Sequence, residues 1–116
     1  MMRHPLKNPD LAGYTFLKVM YDDDYFPPEL VRKGEDILVE LCRKIEADPP
    51  QDLDGLYLLT HEATERFNDL AEDFDEAESE IETVARDTIA TDMKYIAEVY
   101  GFDHADIEEL VAPREW

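Results

Sequence analysis

The stretch Pro27-Pro28-Glu29-Leu30-Val31-Arg32-Lys33-Gly34-Glu35-Asp36-Ile37-Leu38-Val39-Glu40-Leu41-Cys42-Arg43-Lys44-Ile45-Glu46-Ala47-Asp48-Pro49-Pro50 decides the fold. A proline pair brackets it at each end. Between them Leu30, Val31, Ile37, Leu38, Leu41, Cys42 and Ile45 recur at three- and four-residue spacing, which gathers them on one face of a helix. Proline is tolerated in a first helical turn, Glu29 suits the positive end of the helix dipole, and Arg43 and Lys44 suit the negative end. The pattern predicts a helix from near Pro28, stopped by Pro49-Pro50; a helix of about 20 residues spans about 30 Å.

The same period continues on both sides. Downstream, Asp52 is an N-cap for a second long helix whose inward stripe is Leu53, Leu56, Tyr57, Ala63, Phe67, Leu70 and Phe74. A third long helix is predicted from about Ala77 to Tyr100 through Ile81, Val84, Ala85, Thr88, Ile89, Ile96 and Val99, with Gly101 as the residue that ends it. A short helix follows, from an Asp103 cap through Ile107 and Leu110 to just before Pro113. Upstream, another short helix is predicted from Asp10 to Met20, with Leu11, Tyr14, Leu17 and Met20 or Tyr21 facing inward. No segment alternates with period two. The expected fold is all-α: a single domain over 1–116, an antiparallel bundle of three long helices with a short N-terminal and a short C-terminal helix.

Charge separates this chain from an ordinary small domain. Thirty acidic residues against eleven basic ones give a net charge of -19. Residues 1–20 are slightly basic, so the excess lies beyond them. Such a surface repels nucleic acid and anionic membranes and attracts a basic protein patch, unless the charge serves only solubility. The longest apolar run, Leu56-Tyr57-Leu58-Leu59, is too short for a bilayer, and Met1 to Lys7 contains no apolar core like that of a leader peptide. Cytoplasmic residence is the expectation. Oligomeric state is left open.

Two acidic segments are candidate partner-binding surfaces. The first is Tyr21-Asp22-Asp23-Asp24-Tyr25-Phe26, where three aspartates follow the carboxyl end of a helix. That end already carries partial negative charge, so the run needs a cation, a basic side chain such as Arg114, or solvent. It lacks the spacing of a calcium loop. The second is Asp69 to Glu82, with eight acidic residues and no basic one, centred on Glu72, Asp73, Asp75 and Glu76. The terminal Trp116 is expected to fold back, carrying Arg114 toward the aspartate triplet; the alternative is a peptide-like hook for a partner.

Chemistry-bearing residues are few. His61 has Glu65, not a second histidine, four residues on, so the zinc-enzyme motif is absent. Asp92 falls near the apolar stripe, between Thr88 and Ile96; a carboxylate there is catalytic, lies at the stripe's edge, or bonds a tyrosine or arginine from a neighbouring helix. Cys42, the only cysteine, lies in a core pattern. Gly13, Gly34, Gly55 and Gly101 are too scattered for a phosphate-cradling loop. No cofactor and no metal is expected.

Taken together, Gly13-Tyr14-Thr15-Phe16-Leu17, Met20-Tyr21-Asp22-Asp23-Asp24-Tyr25-Phe26-Pro27, Leu41-Cys42, Glu80-Ile81-Glu82 and Pro113-Arg114-Glu115-Trp116 resemble an uncharacterised family of small bacterial all-helical proteins. The resemblance implies a bacterial source and one helical domain. The family has no assigned function, so no site residue carries over. The residues point to a non-enzymatic acidic interaction module, immunity-like or regulatory, with a basic protein as partner. The alternatives are a small metal-dependent or acid–base enzyme using Asp22, Asp23, Asp24, His61 or Asp92, and a structural helical protein with no fixed partner.

Overall fold

The computed structural model describes residues 6–116, so residues 1–5, on which part of the leader and charge readings rests, lie outside the described residues. Six helices follow in order: α1 (Pro9–Ala12), α2 (Lys18–Tyr21), α3 (Pro28–Ala47), α4 (Leu53–Glu76), α5 (Thr83–Val99) and α6 (Ile107–Leu110), with no strand among the described residues. The all-α expectation holds, with three long helices and short ones at either end.

α3 begins with Pro28 in its first turn and Glu29 beside it, and α4 is capped by Asp52, whose carboxylate accepts the Gly55 N–H at 2.9 Å. The two helices form an antiparallel hairpin around the Pro49-Pro50 turn. Its register is marked by ion pairs from Lys44 to Glu62 and from Lys33 to Asp73. The hairpin closes tightly at Gly34. A Cβ there would stand 2.8 Å from Leu17 Cδ1 and 3.1 Å from Phe67 Cε1, so the missing side chain is what admits both groups. The Cα extents of 40 × 34 × 18 Å describe a flattened body about two helix layers thick.

α5 packs chiefly against the short helices α6, α2 and α1. α6 wedges beside α4 and α5: the Thr64 hydroxyl donates to the Leu110 carbonyl at 3.3 Å and lies 3.8 Å from Met93 Sδ. The core is filled by Phe16, Phe26, Phe67 and Phe74 together with Leu11, Leu38, Leu56, Ile89 and Met93, all buried. No described helix is long and apolar enough to cross a membrane.

Three element boundaries differ from the sequence expectation. The predicted helix from Asp10 to Met20 is two short helices, because Leu17 adopts the left-handed conformation (φ 59°) between them. The third long helix starts at Thr83, not Ala77. Glu78 at φ 61° ends α4 in a left-handed turn closed by the Ser79 N–H on the Phe74 carbonyl at 2.9 Å. Residues 79–82 then run without helix, with Ile81 buried. Gly101 at φ 93° closes α5 the same way, through the Phe102 N–H on the Ala97 carbonyl at 2.8 Å. The cap of α6 is Asp106, which accepts the Glu108 N–H at 3.0 Å, not Asp103.

Candidate protein-interaction surface

The aspartate triplet sits on a loop built from its own side chains. Asp22 ends α2 and pairs with Lys18 one turn back at 3.0 Å, both exposed. Asp23 Oδ1 accepts the Tyr25 N–H at 2.9 Å, an Asx turn that lifts Asp24 into solvent. Phe26 anchors the loop: it is buried and meets Phe74 of α4 edge to face at 6.3 Å. Tyr25 packs its ring edge on Phe26 at 5.1 Å yet stays 44% exposed, an aromatic presented beside three carboxylates.

The turn after α4 completes the arrangement. The buried Ser79 donates its hydroxyl to the Tyr25 carbonyl at 3.0 Å. With the Phe26–Phe74 contact, this bond joins the aspartate loop to the acidic turn, although fifty-four residues separate Tyr25 from Ser79. Glu76, Glu78, Glu80 and Glu82 are exposed on that turn, as Asp22, Asp23 and Asp24 are on the loop. The aspartate loop and the turn after α4 therefore lie side by side.

The four residues at the centre of the second candidate do not all share one face. Asp73 turns toward α3, where it is half-buried and paired with Lys33 at 3.6 Å. Glu72, Asp75 and Glu76 instead line a depression of about 330 Å³ with Asn68, Ala71 and Glu115. This division follows from helical spacing, since 72, 75 and 76 fall on one face and 73 does not. No basic residue lines the depression.

Glu115 reaches it because α4 holds the tail. Asn68 Nδ2 donates to the Pro113 carbonyl at 3.1 Å, and the Glu115 N–H donates to Asn68 Oδ1 at 2.8 Å. Trp116 folds back, as expected, against Phe67 at 6.2 Å. The expected contact between Arg114 and the triplet is not made. Arg114 lies 5.7 Å from the Trp116 ring centroid and pairs with Glu108 at 3.6 Å, while Asp22 is served by Lys18 and the other two aspartates by solvent and their own turn.

The remaining candidates have structural partners. Asp92 is buried; Oδ1 accepts the Tyr14 hydroxyl at 2.6 Å and Oδ2 the Leu17 N–H at 2.7 Å. Burial pushes its pKa up, while the two hydrogen bonds pull it back. Burial also raises the Tyr14 hydroxyl, with the Asp92 bond adding to it. The tyrosine partner allowed for by the sequence reading is thus the one found. His61 Nε2 donates to the Glu109 carbonyl at 2.6 Å and ties α4 to α6. The Cys42 thiol, fully buried, is pushed up to about 12, which makes it an inert core residue. Among the described residues no three His, Cys, Asp or Glu side chains converge as a metal site would require.

Two further carboxylates repeat the Asp92 pattern. Tyr21 donates to Glu35 at 2.7 Å, and Tyr100 donates to Glu46 at 2.6 Å. Glu46 also accepts the N–H groups of Lys7 and Asn8, both at 3.0 Å. Sequence reasoning missed Ser79, Asn68 and Glu46. The first two had a legible signal, as single neutral hydrogen-bonding side chains in strongly acidic stretches; Glu46 had none among so many acids.

A family model described as a family of unknown function (DUF5713) matches residues 10–116. No curated protein and no solved structure matches the chain.

Proposed function

We propose that this chain, which belongs to the DUF5713 family of unknown function, is a non-enzymatic acidic module that docks a basic segment of a partner protein. The observation that carries the reading is the Ser79–Tyr25 bond. It brings two acidic segments together beside an exposed tyrosine. A partly exposed tyrosine flanked by carboxylates suits arginine and lysine, which stack on its ring while pairing with the acids. The depression bounded by Glu72, Asp75, Glu76 and Glu115 offers a further place for one basic side chain. Of the residues that an acid–base enzyme could use, Asp92 is bonded to Tyr14 and Leu17, and His61 Nε2 to the Glu109 carbonyl, which gives both a structural role.

A binding series with an arginine-rich peptide tests the reading. One variant reverses Glu72, Asp75 and Glu76 to lysine; a control reverses the exposed Glu29, Asp54 and Glu98, changing net charge equally. The face variant should lose most of its affinity and the control little. Tyr25→Ser should weaken binding at high salt as well as low, because a ring contact is not screened. Equal losses in the two reversal variants would reduce the interaction to bulk charge and end the proposal.

A further inference from the structure

We propose that the cleft between α5 and the C-terminal tail binds a small organic oxyanion, a carboxylate or a phosphate monoester. The cleft uses none of the acidic segments and goes beyond the docking role. It measures about 400 Å³, and Arg86, Arg114, Thr83 and Thr91 supply its donors.

The argument starts from Arg86. In a chain with thirty acidic residues and eleven basic ones, a guanidinium has an abundance of carboxylates to choose from. Arg86 is half-buried and makes no ion pair among the described residues, and its Nε is buried without an acceptor. An arginine held this way leaves donors unspent. Arg114 enters the same cleft from the tail, and its stacking on Trp116 orients the guanidinium plane. Its acidic partner, Glu108, is 3.6 Å away on an exposed side chain and makes a weak, exchangeable pair. The Trp116 indole N–H is likewise buried without a partner.

Each guanidinium is a fork of donors that a carboxylate or phosphate satisfies bidentately, and two incompletely matched ones line this cavity. Thr83 opens α5, whose N-cap Glu82 makes no side-chain cap bond, so the first-turn N–H groups add to the attraction for negative charge. Ala90 and Ile107 contribute apolar lining, which favours an anion with an organic body over a bare inorganic one. Asp87 and Glu108 are exposed and also line the cleft. They oppose a second negative group, and ligand binding would displace Glu108 from Arg114.

The test is an NMR titration of the full chain with phenyl phosphate, with phenylacetate and with inorganic phosphate. At least one organic anion should give saturable shifts of the Arg86 Nε–H and Trp116 Nε1–H signals. The tighter of the two then identifies the headgroup, and inorganic phosphate should bind more weakly than phenyl phosphate. Arg86→Lys keeps the charge but loses the fork, and should weaken binding by about tenfold or more. Arg66→Gln, an exposed arginine outside the cleft, should behave as the parent does. Shifts that fail to saturate with both organic anions, or saturation unchanged in Arg86→Lys, would overturn the assignment.

Discussion

Tyr14 donates its hydroxyl to Asp92 at 2.6 Å, and the same carboxylate takes the backbone N–H of Leu17, three residues on from that tyrosine. One buried acid therefore holds both ends of the turn that splits the N-terminal segment into α1 and α2. A left-handed leucine costs roughly 1–2 kcal/mol, and the hydrogen bond with burial of the Leu17 side chain offsets it.

Tyr14→Phe should destabilise the protein by about 1.5–3 kcal/mol at neutral pH, because it leaves a buried carboxylate with one donor fewer. The pH dependence has a definite sign. Burial raises the folded pKa of Asp92, so its ionisation weakens the fold, and its contribution falls as pH rises through the interval above the ordinary aspartate value. The Tyr14 bond counteracts that rise. Its loss should widen the interval, so the variant should regain more stability on mild acidification than the parent. Asp92→Asn should be tolerated better at neutral pH, since an amide can accept from Leu17 and donate to the tyrosine without carrying charge. Chemical denaturation at two pH values checks all three outcomes.

Glu46 should behave in the opposite way. Burial acts to raise its pKa, but donations from the Lys7 N–H, the Tyr100 hydroxyl and the Asn8 N–H outweigh it and lower the value. The stability it supplies is present above the unfolded pKa and lost as pH falls through the folded one. Amide exchange at Lys7 and Asn8 should therefore accelerate in acid relative to the rest of the molecule. In Glu46→Gln, protection at these two amides should be lower at neutral pH and lose that acid dependence.

Gly34→Ala should destabilise the protein despite alanine's better helix propensity. The propensity gain is about 1 kcal/mol, while a new methyl would press on Leu17 and the Phe67 ring inside a filled core, at about 1–3 kcal/mol. A net loss of about 1 kcal/mol is expected in a thermal melt. An increase in melting temperature would show that Leu17 can move aside.

Removing residues 113–116 should cost about 1–3 kcal/mol, from two Asn68 hydrogen bonds and the Trp116–Phe67 contact. Asn68→Ala should reproduce part of the loss. If truncation leaves the melt unchanged, the tail contributes nothing to the fold.

Much of this architecture is legible in the sequence, for reasons that vary along the chain. α3 and α4 are read almost to the residue, because prolines, an aspartate cap and an unbroken apolar stripe all agree. The start of α5 is not legible. Glu78 takes a left-handed turn that usually signals itself with glycine, and Ile81 continues the helical period while lying outside any helix. α1 and α2 are misread as one helix because Leu17 is bent by a carboxylate seventy-five residues away, which no local pattern encodes. The same limit applies to the acidic segments. Both stand out by composition, but their adjacency depends on a serine and two phenylalanines whose meeting is tertiary.

The three tyrosine-bound carboxylates, Asp92, Glu35 and Glu46, give the molecule two kinds of electrostatics. These bonds join a carboxyl group to an uncharged hydroxyl and span less than 3 Å, so dissolved ions have little to screen. The exposed carboxylates act on one another and on a partner through water, where ions screen them readily. Ionic strength can therefore tune attraction at the outside of this protein while leaving the fastening of its N-terminal segment almost untouched.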